Sequence, residues 1–155
     1  MNTEFLKDLG LGFLFVLSQV VFFQHLSLFG ATADPLLFFL VWIISRHERI
    51  QMLFLAAILG LIQDGFLDFW GMFMFSKTLI IFLSYTFIKK RSENQLLLWQ
   101  IFVVIFVVAI AHNIILLGLS SFFSIFAHEV NPFVTVFANA FYTAALGTVF
   151  YILRD

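Results

Sequence analysis

The chain has 155 residues and a formal net charge of −1, and 63% of its residues are hydrophobic whereas only 11% are charged. A soluble domain is about one quarter charged, so this composition excludes a soluble enzyme, and the small net charge argues against a nucleic-acid partner. The mean hydropathy is +1.07. We therefore predict a single integral membrane domain that covers residues 1–155.

Six apolar segments follow one another along the chain. They cover residues 9–29, 35–45, 50–69, 71–88, 96–119 and 132–153. Each is predicted to be helical, because an isolated strand cannot satisfy its backbone hydrogen bonds in lipid. Pro35 and Pro132 agree with this prediction, since the first turn of a helix tolerates proline. The pattern predicts an all-α, polytopic membrane bundle of about six transmembrane helices.

The basic residues predict how the chain is threaded through the membrane. Lysine and arginine accumulate in cytoplasmic loops close to the membrane, and a cytoplasmic N-terminus places seven of the eight basic residues on that side. These seven are Lys7, Arg46, Arg49, Lys89, Lys90, Arg91 and Arg154. The eighth, Lys77, lies inside a predicted span. We therefore expect both termini to be cytoplasmic.

Two segments fit this scheme less simply. A helix over residues 35–45 would reach only about 16 Å, roughly half of the hydrocarbon thickness. We expect a plain spanning hairpin; the alternative is a broken or re-entrant hairpin of residues 35–45 and 50–63 that other protein buries. The sequence Ala31-Thr32-Ala33 resembles a signal-peptide cleavage site, but the apolar run before it is longer than a signal peptide requires, so we expect no cleavage.

The third and fourth segments contain charged residues that lipid does not favour. Gly60, Asp64 and Asp68 are spaced by four residues and would share one face of a helix. One interpretation is a proton or cation relay through the two aspartates. We favour a helix end, in which Gly65 stops the third helix and Lys77 forms an intramembrane ion pair with Asp64.

Polar residues also interrupt the first and fifth segments. His112 and Asn113 could form a proton relay or contact a ligand, but we favour an interhelical hydrogen bond, because no second histidine or carboxylate stands three or four residues away. Gln19, Gln24 and His25 crowd the outer end of the first segment. They suggest a polar pocket or a partner contact at that end.

The last segment carries a stripe of small and polar residues at four-residue spacing. Its members are Thr135, Asn139, Ala140, Thr143, Ala144 and Gly147. Such a stripe allows two helices to approach closely, so it must face protein, either this chain or a partner. Phe133, Phe137, Phe141 and Phe150 fall mostly on the other side and are expected to face lipid.

Patterns typical of catalysis are missing from the sequence. It has no cysteine, no glycine-rich phosphate loop, no HExxH helix and no GxSxG elbow. We therefore expect no enzymatic activity, no metal and no cofactor.

Four short motifs lie between Ala33 and Phe87. They read Asp34-Pro35-Leu36-Leu37, Arg46-His47-Glu48-Arg49, Leu59-Gly60-Leu61-Ile62-Gln63-Asp64 and Trp70-Gly71. Together they resemble the rod shape-determining MreD family of small bacterial inner-membrane proteins. The residues that carry the resemblance are Asp34, Pro35, Gly60, Asp64 and Gly71. The family more often places the proline before the aspartate of the first motif, so the order is reversed here.

The resemblance implies a non-catalytic scaffold of the bacterial cell-elongation machinery, located in the inner membrane. Such a scaffold holds periplasmic MreC, the glycosyltransferase RodA and a class B penicillin-binding transpeptidase near cytoplasmic MreB filaments. The resemblance also implies a fold similar to the substrate-binding subunits of energy-coupling-factor vitamin transporters. The alternative function is therefore a small-molecule binding subunit of a transporter, and a third is a proton-coupled protein or channel that uses Asp64 and His112.

Overall fold

The computed structural model describes residues 3–27, 30–92, 97–123 and 131–154, and within these ranges the chain is mostly helical. The six helices are α1 (Thr3–Ser18), α2 (Pro35–Ile43), α3 (Arg49–Leu67), α4 (Met72–Ser92), α5 (Leu98–Phe123) and α6 (Pro132–Arg154). A π-helical segment, Gln19–Phe23, continues α1. The predicted all-α fold is confirmed.

Among the described residues, five helices are long and apolar enough to cross a membrane, namely α3, α4, α5, α6 and α1 with its π-helical continuation. Their outward surfaces carry large apolar side chains that are more than half exposed, such as Leu14, Phe54, Phe87 and Phe133. Exposing such apolar surfaces to water over a whole bundle is unfavourable, whereas contact with the acyl chains of a membrane carries no such cost. The protein is therefore a multi-pass helical membrane protein.

Helix α2 differs from the other five helices. Its nine residues reach roughly 14 Å, well below the hydrocarbon thickness of about 30 Å. Eight of the nine are buried, and α2 packs against α1, α4, α5 and α6. The length of α2 thus falls short of a plain span, and this chain itself buries the helix. The alternative of a short broken hairpin of residues 35–45 and 50–63 is not observed, because residues 50–63 belong to a helix long enough to cross a membrane. Helix α3, by contrast, is a full-length helix.

The five long helices form a ring around α2. Packed neighbours in the ring are α1 with α3, α3 with α4, α4 with α5, and α5 with α6. Aromatic side chains close the ring between α1 and α6, where the ring centroids of Phe15 and Phe150 are 5.8 Å apart. Phe15 also packs against Phe38 and Phe39 of α2, at 5.5 and 4.7 Å between centroids. Aromatic contacts therefore bind the central helix to the ring.

The two ends of the bundle are used differently. At one end α2, α4 and α6 begin, and the polar side chains near their first turns surround a cavity; we call it the cavity end. At the opposite end α1 and α3 begin, and Lys89 of α4 reaches the turn that follows α2. We call this the basic end. The basic turns around Arg46 and Lys89 therefore lie together, as the predicted threading requires.

A buried charge network and a cavity as the candidate functional site

Asp34 is the N-cap residue of α2, and its backbone N–H and both carboxylate oxygens form bonds. Its Oδ1 accepts a hydrogen bond from the Leu37 backbone N–H at 2.9 Å, which is the usual role of an N-cap aspartate. Pro35 follows at the first helical position, where a missing N–H costs nothing. The Asp34 backbone N–H donates to Thr143 Oγ1 of α6 at 3.0 Å, and its Oδ2 binds the Lys77 ammonium.

The ion pair between Asp34 and Lys77 compensates two charges that lie inside the bundle. The Lys77 side chain is fully buried, and an unpaired ammonium in that position would cost several kcal/mol. Burial alone would raise the pKa of the Asp34 carboxyl, but the adjacent Lys77 charge and hydrogen bond outweigh it and hold this pKa below its ordinary value. The two opposite charges compensate each other, and the pair joins α2 to α4.

Asp64 has a different partner from the one expected. Its Oδ1 accepts from the Phe73 backbone N–H and its Oδ2 from the Met74 backbone N–H, both at 2.9 Å. These are N–H groups of the first turn of α4, which has no intrahelical acceptor for them. The predicted direct Asp64–Lys77 ion pair is wrong, because Lys77 binds Asp34 and the two carboxylate oxygens of Asp64 are occupied by α4.

Gly60 allows this arrangement to form. A Cβ atom at Gly60 would lie 2.6 Å from Met74 Cα and 3.0 Å from the Phe73 carbonyl oxygen. Both contacts are with backbone and cannot be relieved by a side-chain rotation. A residue without a side chain is therefore required where α3 passes the first turn of α4, one helical turn before Asp64.

The turn between α3 and α4 lies slightly later than predicted. Gly65 does not stop the helix; α3 continues to Leu67 and ends at Asp68, which adopts a left-handed conformation with φ of 59°. Gly71 also has positive φ, at 82°, a value that glycine accepts without strain. Trp70 is 95% exposed, as expected for an aromatic side chain at a membrane interface.

The small-residue stripe of α6 faces this chain itself. Asn139 Oδ1 accepts from the Thr32 backbone N–H at 2.8 Å, and Thr143 accepts from Asp34 as described above. The stripe therefore supplies hydrogen-bond acceptors to the segment that leads into α2. Thr135, at the start of the stripe, lines the cavity.

The other members of the stripe provide close packing. Ala140 and Ala144 have no exposed surface. A Cβ atom at Gly147 would lie 2.8 Å from Ile105 Cδ1 and 3.1 Å from Phe38 Cβ. Of the two possibilities left open by the sequence, contact within the chain is the one observed for these residues.

His112 and Asn113 form the expected contacts with other helices. His112 Nε2 lies 3.2 Å from Ser76 Oγ of α4, and Asn113 Nδ2 donates to the Val136 carbonyl oxygen of α6 at 3.2 Å. The predicted interhelical hydrogen bonds are confirmed. His112 Nδ1 also lies 4.0 Å from Asp34 Oδ2, so the histidine adjoins the ion pair.

A cavity of about 350 Å³ opens beside this network at the cavity end. Side chains that line it include the polar residues Gln19, Gln24, Asn113, Ser120, Thr135 and Asn139. Asp34, His112 and Thr143 line it as well. Gln19 and Gln24 thus lie where the predicted polar pocket placed them, whereas His25 is exposed and is not among the lining residues.

The basic end contains a second polar cluster that the sequence did not indicate. His47 Nε2 lies 2.7 Å from Asp8 Oδ2, and both side chains are buried. Tyr85 Oη donates to the His47 carbonyl oxygen at 3.0 Å, and Lys89 Nζ donates to the Ser45 carbonyl oxygen at 2.7 Å. These bonds join α1, α4 and the turn between α2 and α3.

Both networks were hidden by sequence separation. Asp34 and Lys77 are 43 residues apart and Asp8 and His47 are 39 apart, so no local spacing pairs them. One signal was present for the first network: Lys77 is the basic residue inside a predicted span and therefore requires an acidic partner. Asp34 and Asp64 both belong to the motifs, so the sequence did not decide which of them is that partner.

The fold and these contacts define a multi-pass helical membrane protein whose buried charges, within the described ranges, are bonded by the chain itself. Comparisons with protein-family models, with curated proteins and with solved structures find no match for this chain. The arrangement is suited to holding helices in fixed positions and to enclosing a small polar space.

Proposed function

We propose that this protein is a non-catalytic scaffold of the bacterial cell-elongation machinery, similar to the MreD family, which assembles peptidoglycan-synthesis partners and so helps maintain cell shape. The observation that supports the proposal best is the convergence of the motif residues. Asp34 belongs to the first motif and contacts the first turn of α2, whereas Gly60 and Asp64 belong to the third motif and contact the first turn of α4. Lys77 of α4 binds Asp34 and so links the two contacts. The residues of the resemblance therefore act together as one packing unit.

A scaffold needs fixed helix faces that remain available to other membrane spans. The α6 stripe is used within the chain, so partner spans have to bind elsewhere. The exposed apolar faces of α5 and α6 offer such surfaces, with Val103, Val107, Phe137 and Phe141 each about half exposed. Aromatic side chains are favoured at binding interfaces because they bury a large area at low entropic cost.

The proposed partners are an MreC-like protein, a RodA-type glycosyltransferase and a class B penicillin-binding transpeptidase, with MreB filaments as an indirect partner. The proposed location is the bacterial inner membrane with both termini cytoplasmic. The joint position of the Arg46 and Lys89 turns supports this orientation. A reporter fused after Arg91 is expected to be active in the cytoplasm, and activity of a periplasmic reporter there would contradict the threading.

Depletion of the protein in the bacterium that encodes it tests the scaffold proposal. Rounded cells are expected, together with co-purification of an MreC-like protein with the tagged wild-type chain. Complementation with the wild-type gene is expected to restore rods. Complementation with Lys90→Met is expected to do the same, because this variant changes only an exposed side chain. Normal cell shape after complete depletion would contradict the proposal.

A second candidate function is a small-molecule binding subunit of a membrane transporter. The cavity beside Asp34 and His112 favours it, because about 350 Å³ with several convergent polar groups lies within the range of ligand sites. Depletion distinguishes the two functions. Loss of uptake of a solute with normal cell shape would support the transporter subunit, and rounded cells with normal uptake would support the scaffold.

A further inference from the structure

The cavity has two hydrogen-bond acceptors that the described part of the chain leaves without a partner. One is Oε1 of Gln19, and the other is Nδ1 of His112, a residue with no exposed surface. Both residues line the cavity. A buried polar atom without a partner costs about 1–3 kcal/mol, so a bound group that donates to these atoms would recover that energy.

Neighbouring bonds indicate that His112 Nδ1 is an acceptor. Ser76 Oγ donates to the Phe73 carbonyl oxygen at 3.3 Å, so its single proton is used there. We therefore assign the ring proton of a neutral histidine to Nε2, from which Ser76 Oγ, 3.2 Å away, accepts a hydrogen bond. Nδ1 then carries a lone pair.

The charge beside the cavity is already balanced. The Asp34 carboxylate is neutralised by Lys77, so neither a cation nor an anion would find an uncompensated partner among these residues. The remaining walls combine amide side chains with apolar ones, including Phe69, Leu116 and Leu117. The lining thus favours a molecule that has an apolar body and polar groups but no net charge.

The backbone of α1 changes at the same place. Gln19 is the first residue of the π-helical segment Gln19–Phe23. Single π-helical turns are rare and occur often at functional sites, because they redirect a side chain out of the regular helical position. This turn sets the position of the Gln19 amide at the cavity.

We propose that the cavity binds a small uncharged molecule with an apolar body and N–H or O–H donors, which donate to Gln19 Oε1 and His112 Nδ1. The proposal goes beyond the scaffold role and does not depend on it; for the second candidate function it names the class of solute.

A set of probes with one shared phenyl body tests the proposal on the full-length protein purified in detergent. Benzamide is uncharged and has N–H donors, N,N-dimethylbenzamide lacks the donors, benzylamine is a cation and benzoate is an anion. Binding is measured by ligand-observed magnetic resonance and by the shift in melting temperature. Benzamide is expected to bind about tenfold more tightly than N,N-dimethylbenzamide, as one hydrogen bond of about 1.4 kcal/mol would give, and more tightly than either ion.

Variants locate the binding. Leu117→Trp is expected to fill the cavity and abolish benzamide binding, whereas Val107→Trp, on the exposed face of the same helix, is expected to leave it unchanged. Gln19→Leu is expected to reduce the preference for benzamide over N,N-dimethylbenzamide while the protein stays folded. This variant provides a test even if substitution of the buried His112 prevents folding.

Several outcomes would overturn the proposal. Equal binding of benzamide and N,N-dimethylbenzamide would show that the acceptors are not used, and tighter binding of benzylamine or benzoate would show that the site selects charge. Failure of benzamide to bind the folded protein would also overturn it, as would a co-purified phospholipid that benzamide does not displace. None of these results depends on cell shape, so the scaffold proposal is tested separately.

Discussion

The two ends of the bundle both contain an aspartate bonded to a basic or imidazole side chain, but they use it differently. At the cavity end Asp34 and Lys77 lie inside the ring of helices, and the lysine side chain has no exposed surface. At the basic end Asp8 and His47 are buried, yet the neighbouring Arg46 is 41% exposed and lies 3.9 Å from Asp8. Water can therefore replace the contact of Arg46 at the basic end, whereas it cannot reach the Lys77 ammonium at the cavity end.

This difference indicates which ion pairs contribute most to the stability of the fold. A buried charge that loses its partner has no alternative, so the cavity end depends on each bond being made. A charge near the surface can be solvated or screened, so its partner contributes little. The four predictions below test this contrast, beginning with the largest expected effect.

Removal of the lysine should be the most harmful change. Lys77→Met leaves the Asp34 carboxylate without its cation, and we expect a loss of about 3–5 kcal/mol in the free energy of unfolding, or failure to accumulate. Thermal unfolding of the purified protein, followed by tryptophan fluorescence, measures the loss. Lys90→Met, in the same helix but exposed, is the matched control and should have little effect.

Double variants identify the partner of the lysine. Asp34→Asn combined with Lys77→Met should recover part of the lost stability, because no unpaired charge remains. Asp64→Asn combined with Lys77→Met should recover none, since Asp64 is bonded to the backbone of α4. If Asp64→Asn rescued the Lys77→Met variant and Asp34→Asn did not, the assignment of Asp34 as the partner of Lys77 would be contradicted.

The second prediction concerns the glycine that lets α3 and α4 approach. Gly60→Ala should cost about 1–3 kcal/mol, because the new Cβ would meet the Met74 backbone and push the first turn of α4 away from Asp64. Gly65→Ala is the matched control, since nothing lies within 4 Å of a Cβ there, and the higher helix propensity of alanine should make it neutral or slightly stabilising. The same melting experiment compares both. Equal effects would refute the proposed close approach.

The third prediction moves to the basic end. Asp8→Asn keeps an oxygen that can bond to His47 but removes the negative charge, and we expect a loss of about 1 kcal/mol. The loss in melting temperature should be clearly smaller than that of Lys77→Met. Lys7→Gln, an exposed neighbour in α1, is the control. A loss as large as that of Lys77→Met would remove the contrast between the two ends.

The smallest effect is expected for Arg46→Ala. Its guanidinium lies 3.9 Å from Asp8 and 4.7 Å from the centre of the Trp42 ring, and it is partly solvated. Exposed pairs of this kind contribute between about 0 and 1 kcal/mol. Melting in low and high salt should therefore differ little between this variant and the wild type, and a large salt-sensitive loss would show that the basic end also depends on ionic bonding.

Several features of the fold followed from local sequence alone. The long apolar segments predicted the five long helices and the membrane character, because burying backbone in lipid requires helices. Pro35 marked the start of α2, and the short length of residues 35–45 raised the possibility that protein rather than lipid covers this helix. Gly60 and Asp64 stood out as a motif, although their contacts with α4 did not.

Tertiary structure decided which groups meet. Lys77 could have paired with Asp64, which is nearer in sequence, but the packing of α2 inside the ring brings Asp34 to it. The α6 stripe could have faced a partner, but α2 occupies that face. Hydropathy and helical periodicity are properties of neighbouring residues, so they specify which segments are helices and which faces are apolar. Ion pairs and cavities depend on the order of helices around the centre, and only the folded chain contains that information.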